Sequence, residues 1–232
     1  TMSSRETADL DGYIKKCHPF SALDTKRPIF GLGPEHQPQL QRSTGNRILL
    51  FPGCFYPPHP EHETFLYHTY KSLQRIHVIA AIVLPLYDEE IKSKSCVTGA
   101  MNLPLTKEQR VRLWRGDGPP KEWYWIYDRS IQEWDSFRCR LAESITQDGF
   151  DVKFTVLYGL MDACPPWKVW DCDEIAVSNT CGPTDFSIYH TRSYLSGRKT
   201  WGSSHCGAQQ RTEFTSWIIR SINVLRGKST AG

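Results

Sequence analysis

The sequence predicts an α/β protein in which a parallel sheet carries helices on both faces. Three short runs rich in apolar and β-branched residues, at 48–51, 76–84 and 152–158, have the length of strands. They are nearly continuous rather than alternating, as is typical of strands buried on both faces. Segments with the helical spacing of apolar residues separate them, and this alternation indicates a parallel sheet with helical crossovers.

The first βαβ unit follows from the order of these signals. The run 48–51 is bounded by Asn46 before it and by Pro52 and Gly53 after it. Apolar residues at helical spacing then predict a helix over 63–75, and the run 76–84 predicts a second strand. A strand, a loop, a helix and a strand in this order make one parallel crossover unit.

Further elements are predicted toward the C-terminus. Thr106 can cap a helix over 106–114, because Gln109 stands at the capping-box position. Its basic residues are expected on a solvated face; they are Lys107, Arg110, Arg112 and Arg115. The remaining predictions are an aromatic strand at 123–127, a helix at 130–147, strands at 152–158 and 173–177, and a last helix over 212–226.

Length and composition predict one folded domain with an N-terminal arm. At 232 residues the chain is within the range of a single α/β domain. Residues 1–45 contain several prolines and little periodicity, which predicts an arm packed on the domain formed by 46–232. No apolar run is long enough to span a membrane, and the first twenty residues lack the order of a signal peptide. A cytoplasmic location without membrane contact is therefore expected.

Charge and cysteine spacing narrow the function classes. The formal net charge of +3 is too small to indicate nucleic-acid binding, although it does not exclude it. The eight cysteines are irregularly spaced, without a C-x-x-C pair, and are interpreted as thiols rather than as a disulfide framework or zinc site. No metal site built from protein side chains is predicted.

The loop after the first strand holds the densest cluster of reactive side chains. In an open parallel sheet, ligands bind beyond the carboxyl ends of the strands, where such a loop meets the start of a helix. Gly53 permits a close approach of backbone, and the amide groups of the helix are expected to face an anion. His59 and His62 are three residues apart, so at a helix start they project in the same general direction and can donate to phosphate oxygens.

This loop resembles a family signature. Residues 53–62, which read GCFYPPHPEH, look like the G-x-F-x-P-x-H-x-G-H motif of nucleotidyltransferases, especially nicotinamide mononucleotide adenylyltransferases. Residues 214–220, FTSWIIR, are similar to the family's second motif, I-S-S-T-x-I-R. Between them, YGLMD at 158–162 resembles a family strand ending in G-x-D. The resemblance covers roughly residues 47–229 and implies the Rossmann-like fold that nucleotidyltransferases share with class I synthetases, the HUP fold.

The resemblance also implies an activity and its residues. It implies transfer of a nucleotidyl group from a nucleoside triphosphate to a phosphate or hydroxyl acceptor, with Mg²⁺ on the triphosphate and pyrophosphate leaving. The implied catalytic residues are His59, His62 and Arg220, and Cys54 is a further candidate. The implied nucleotide-binding residues are Gly53, Phe55, Glu61, Asp162, Thr215, Ser216 and Trp217. The implied acceptor-binding residues are Trp123, Tyr124, Asp128 and Trp167.

Three departures from the family pattern leave alternatives open. Glu61 stands where the family often has glycine, Trp217 replaces a threonine, and Cys54 replaces a serine or threonine. A thiol at a helix N-terminus near imidazoles can be a nucleophile. One alternative is therefore an aminoacyl-tRNA-dependent transferase, as in fungal arginine-containing cyclodipeptide synthases, with Cys54 as acyl carrier and Glu61 as a guanidinium ligand. The other is a noncatalytic nucleotide-binding protein.

Overall fold

A computed structural model of the chain describes residues 6–20, 27–33, 38–55, 57–88, 105–158, 172–178 and 217–221. Within these ranges the helices are α1 (Leu10–Cys17), α2 (Pro60–Leu73), α3 (Lys107–Arg115) and α4 (Ile131–Gln147). The strands are β1 (Thr7–Asp9), β2 (Gln39–Gln41), β3 (Asn46–Gly53), β4 (Val78–Pro85), β5 (Tyr124–Ile126), β6 (Val152–Tyr158), β7 (Glu174–Ser178) and β8 (Trp217–Ser221).

Five parallel strands and one antiparallel edge strand form the main sheet. The strand order is β5-β4-β3-β6-β7-β8, and only β8 runs against its neighbour. Strands β4 and β5 extend the sheet on one side of β3, whereas β6 and β7 extend it on the other. This order confirms the predicted α/β class and is compatible with a Rossmann-like fold.

Side chains of β3 alternate between two apolar layers. Ile48 and Leu50 pack with α1 and α4 on one face, and Leu49 and Phe51 pack with α2 and α3 on the other. All eight residues of β4 are buried, because helices cover both faces of the sheet. The continuous apolar runs of the sequence follow directly from this double burial.

Capping residues fix where the helices begin. Thr106 and Gln109 form the predicted capping box of α3, and Ser130 and Glu133 form one at α4. Each box satisfies two backbone amides that the helix geometry leaves without partners. Because α2 starts at Pro60, three residues earlier than predicted, His59 and not a later residue is its N-cap.

The described parts of the N-terminal segment contain regular structure. Strand β1 pairs antiparallel with β2, and α1 packs on α4. Leu10 and Ile14 are fully buried in the same apolar cluster as β3 and α4. The Asp11 carboxylate accepts hydrogen bonds from the backbone N–H groups of Ile29 and Phe30. These residues therefore belong to the core of the domain.

The helix predicted over 212–226 is wrong at residues 217–221, which form the edge strand β8. Trp217, Ile218 and Ile219 are aromatic or β-branched and so suit a strand, and they pair with the otherwise open edge of β7. Pairing with a distant strand overrides the local helical pattern. The second family-like motif therefore does not start a helix at these residues; the rest of the predicted helix lies outside the described ranges.

Candidate functional site

The strand order reverses between β3 and β6, and a ligand site is expected at the carboxyl ends of these two strands. The chain leaves β3 in one direction to form β4 and β5, and it forms β6 and β7 in the other direction. Ligands of open α/β sheets bind at such a reversal of strand order. The loop after β3 and the N-terminus of α2 lie at this end of the sheet, as the sequence predicted.

Gly53 and Phe55 give this loop its shape. Phe55 has a φ of 45°, a backbone conformation that costs free energy for a residue with a side chain. Its ring is buried against Phe51, His62 and Trp114, with ring centroids 5.2, 5.3 and 5.0 Å apart. A Cβ on Gly53 would come within 2.7 Å of this ring. Glycine is therefore needed where β3 ends.

His59 and His62 cap helix α2 with their own imidazole rings. The Nδ1 atom of His62 accepts from the backbone N–H of His59 at 2.9 Å, and the Nδ1 atom of His59 accepts from that of Glu61 at 3.3 Å. A neutral imidazole whose Nδ1 accepts carries its proton on Nε2. Both rings therefore have an Nε2–H group free of the capping bonds, and each can donate to a ligand.

Backbone amides of the first turn of α2 are largely engaged, contrary to the expectation that they would face an anion. Pro60 has no N–H group. The N–H of Glu61 is bonded to the His59 ring, and that of His62 donates to the His59 carbonyl at 2.9 Å. Recognition of an anion here falls on the two Nε2–H groups and on the positive end of the helix dipole.

The two histidines differ in burial, and Glu61 faces solvent. Burial, with a smaller contribution from neighbouring His59, lowers the pKa of His62, so its ring is a neutral donor near pH 7. The His59 side chain is 58% exposed. The Glu61 side chain is 90% exposed, with a carboxylate oxygen 3.8 Å from His59 Nδ1. Solvent screens a charge in this position, so Glu61 does not block an anion.

Arg110 of α3 is a functional candidate that sequence reasoning missed. Its side chain is fully buried, so the prediction of a solvated basic face is wrong at this position. It donates to the carbonyl oxygens of Cys54 and Leu86, each at 2.7 Å, and to the Asp88 carboxylate at 2.6 Å. One guanidinium thus joins the loops that follow β3 and β4. The sequence held no signal that separates Arg110 from the exposed basic residues of the same helix.

Cys54 is a half-buried thiol whose side chain packs against the apolar layer shared by α1 and α4. A general base for this thiol would need an unprotonated nitrogen, but the Nδ1 atoms of His59 and His62 both accept backbone hydrogen bonds. Neither ring can take the thiol proton while it caps α2. The geometry therefore favours donor roles for the histidines over activation of Cys54.

The predicted acceptor residues Trp123 and Tyr124 lie beside a surface cavity. Trp123, stacked on Tyr70 with centroids 4.7 Å apart, lines a cavity of about 640 Å³ together with Glu63 and Tyr67. Trp114 forms another part of its wall and also lies 6.3 Å from His62, measured between ring centroids. Tyr124 is buried next to Trp123, and burial raises the pKa of its hydroxyl, as does Glu63.

Asp128, the third predicted acceptor residue, is part of a charge cluster. It pairs with Arg115 at 2.8 Å and with buried His18 at 3.2 Å. Burial alone would raise the pKa of this carboxyl, but His18 and Arg115 hold it well below its ordinary value. Because Arg115 also lines the cavity, Asp128 is connected to it through one side chain.

The remaining predicted site residues lie away from this loop or outside the described ranges. Strand β8 places Trp217 opposite Ser178, at the carboxyl end of β7, and Arg220 opposite Ile175. Arg220 is thus three strands from β3 and lies toward the amino ends of the parallel strands. The structure therefore does not bring it to His62. The predicted residues outside the described ranges are Asp162, Trp167, Thr215 and Ser216.

Among the described residues, no group of three or more His, Cys, Asp or Glu side chains could hold a metal ion. In the same part of the chain, no helix is long and apolar enough to cross a membrane. No protein-family model, curated protein or solved structure matches this chain.

Proposed function

We propose that the chain is a nucleotidyltransferase that transfers a nucleotidyl group from a nucleoside triphosphate to a phosphate or hydroxyl acceptor. One observation carries this proposal. His59 and His62 cap α2 through Nδ1 and therefore have two Nε2–H donors available at the carboxyl end of β3. Such a pair, at the positive end of a helix, is suited to the phosphates of a nucleotide.

The reaction asks the protein for positioning and charge stabilisation. An acceptor oxygen forms a bond to the α-phosphorus while the bond from that phosphorus to the bridging oxygen breaks, and pyrophosphate leaves with the electron pair. A proton of the acceptor, where it has one, passes to water. The Nε2–H groups donate to the oxygens on which negative charge increases. The Mg²⁺ ion enters as part of the triphosphate substrate.

The acceptor is assigned to the cavity lined by Trp123. Trp114 lies between this cavity and His62, so the two sites share a wall. Aromatic side chains and an ion pair between Lys121 and Glu63, 2.7 Å long, surround the opening. A partly flat acceptor with polar groups fits this lining.

The experiment is pyrophosphate release with Mg²⁺, with ATP or CTP, and with a panel of nucleotide and phosphate-ester acceptors. Two variants separate the imidazoles from their capping role. Serine at 59 and glutamine at 62 are ordinary capping-box residues, so His59→Ser and His62→Gln retain the helix start and remove the ring donors. We expect acceptor-dependent release by the wild type, and a loss of about 100-fold or more in kcat/KM for His62→Gln.

Other outcomes assign a different function. Binding of the nucleotide without any product would indicate a noncatalytic nucleotide-binding protein. If no nucleotide binds, while charged tRNA yields an aminoacyl adduct on Cys54 by intact mass, the nucleotidyltransferase proposal is wrong and the tRNA-dependent alternative takes its place. A Cys54→Ser variant distinguishes these cases, because nucleotidyl transfer as proposed here does not use the thiol.

A further inference from the structure

Arg110 has an unusual position for a charged side chain. It is fully buried, and within the described part of the chain its hydrogen bonds reach two backbone carbonyls and one carboxylate. Its Nε atom is buried and has no partner in the described part of the chain. Taking a guanidinium out of water costs several kcal/mol, and an apolar side chain of similar size avoids this cost. Stability alone is therefore a poor reason for arginine at this site.

The partners of Arg110 show what an apolar residue would not supply. The Cys54 carbonyl directly precedes Phe55, the residue with the left-handed backbone, and the Leu86 carbonyl follows β4. The Leu86 N–H also donates to the Gly53 carbonyl at 3.0 Å. The ends of β3 and β4 are thus tied to each other and to one guanidinium.

We propose that Arg110 is a positioning residue of the nucleotide site: it holds the 53–59 loop, described at all residues but 56, in the path that places His59 and His62 at the carboxyl end of β3. Phe55 transmits this constraint, because its ring packs between Trp114 of the same helix α3 and His62. The effect on nucleotide binding rests on the function proposed above. The effect on the loop does not, because it follows from hydrogen bonds in the protein alone.

Cys54 provides a reporter for the loop that needs no nucleotide. Its half-buried thiol is alkylated faster when the loop opens, and Cys139, an exposed thiol of α4, is an internal control. Peptide mass spectrometry after iodoacetamide treatment measures both rates in one sample. The test variant is Arg110→Met, which keeps the length and removes the hydrogen bonds. Arg110→Lys restores a single ammonium group that can reach only some of the three acceptors.

A matched control comes from Arg47, which lies at the amino end of β3, the end of the strand opposite to the 53–59 loop. Arg47 pairs with Glu174 at 2.7 Å and donates to the Ile76 carbonyl at 2.7 Å, so it also joins a carboxylate and a backbone carbonyl, here at the end of a short 3-10 helix. Arg47→Met therefore destabilises the fold without touching the 53–59 loop. Comparison of Arg47→Met with Arg110→Met separates a general loss of stability from a displaced 53–59 loop.

For Arg110→Met we expect Cys54 alkylation to be faster by about tenfold or more, because a lost charge-assisted hydrogen bond favours the open loop by a factor of this order. Cys139 alkylation stays unchanged, Arg110→Lys gives an intermediate rate, and Arg47→Met leaves Cys54 at the wild-type rate. In the pyrophosphate assay, kcat/KM falls about 100-fold for Arg110→Met and stays at the wild-type value for Arg47→Met.

Equal alkylation rates of Cys54 in the wild type and in Arg110→Met would overturn the positioning role of Arg110, whatever the pyrophosphate assay shows. The same conclusion follows if Arg110→Met and Arg47→Met lose equal activity at equal loss of stability. If the wild type releases no pyrophosphate but Cys54 is exposed by Arg110→Met alone, the loop role stands and the proposed function fails. If Arg110→Met does not fold, Arg110→Lys decides between the same outcomes.

Discussion

The amino ends and the carboxyl ends of the parallel strands, which we call the amino edge and the carboxyl edge, bury their charged groups in different ways. At the amino edge, buried Glu174 binds Arg47, Thr155 and Lys153. Burial alone would raise the pKa of Glu174, but Arg47 holds it below its ordinary value. Asn46, fully buried at the same edge, donates to and accepts from the backbone at four distances between 2.7 and 3.2 Å.

The carboxyl edge contains conformations and buried groups that cost free energy of folding. Here Phe55 adopts a left-handed backbone, a guanidinium is buried at the end of two strands, and two imidazoles cap a helix. The amino edge also has a residue with a left-handed backbone, since His77, just before β4, has a φ of 64°. The carboxyl edge differs in that its buried guanidinium and capping imidazoles lie beside the loop where ligands of open α/β sheets bind. The amino edge thus stabilises the sheet, whereas the carboxyl edge carries the residues of the proposed nucleotide site.

The largest effect is expected from Arg47→Met at the amino edge. The substitution removes the guanidinium that is the main partner of the buried Glu174 carboxylate. The free energy of unfolding should therefore fall by about 3 kcal/mol. Urea unfolding measures the fall, and kcat/KM for pyrophosphate release should not change. A loss of activity at full folding would contradict the division between the edges.

Gly53→Ala tests the shape of the carboxyl edge. A Cβ here meets the Phe55 ring at 2.7 Å, so we expect a loss of about 2 kcal/mol in unfolding free energy together with weaker nucleotide binding. Gly12→Ala is the control, because a Cβ in α1 meets nothing within 4 Å and should stabilise the protein by about 0.5–1 kcal/mol. Equal changes in the free energy of unfolding for the two substitutions, measured by urea unfolding, would contradict the close packing of Gly53 against Phe55.

The smallest effect is a pH dependence of the α2 cap. The pKa of His62 is lower in the folded state than in the unfolded state, so the unfolded chain binds the proton first. The contribution of the cap is complete above the unfolded pKa of about 6.5 and is lost as pH falls through the folded value. We expect the stability of wild type relative to His62→Gln to fall by about 1 kcal/mol between pH 8 and pH 5. A stability difference that does not change with pH would contradict a pKa of His62 lowered by burial in the folded state.

Local signals predicted most of the fold. The apolar runs and capping boxes gave the order of strands and helices, because burial on both faces of a sheet and capping of an amide are properties of neighbouring residues. The strand at 217–221 could not be predicted in this way, since its pairing with β7 depends on a residue pair far apart in the chain.

The sequence predicted where the loop with His59 and His62 lies in the fold, but not its hydrogen bonds. The spacing of His59 and His62 indicated a shared direction, yet only the structure shows that both Nδ1 atoms are engaged. Arg110 was not separable from Arg112 and Arg115 by sequence, because its burial depends on how α3 packs on two strand ends.

The most direct test of the central claim is a calorimetric titration of ATP with Mg²⁺ into the wild type, His59→Ser, His62→Gln and the double variant. We expect binding by the wild type, about tenfold or more weaker binding by each single variant, and a further loss in the double variant. Arg47→Met should bind as the wild type does. Wild-type affinity in the double variant would contradict the assignment of the carboxyl edge as the nucleotide site.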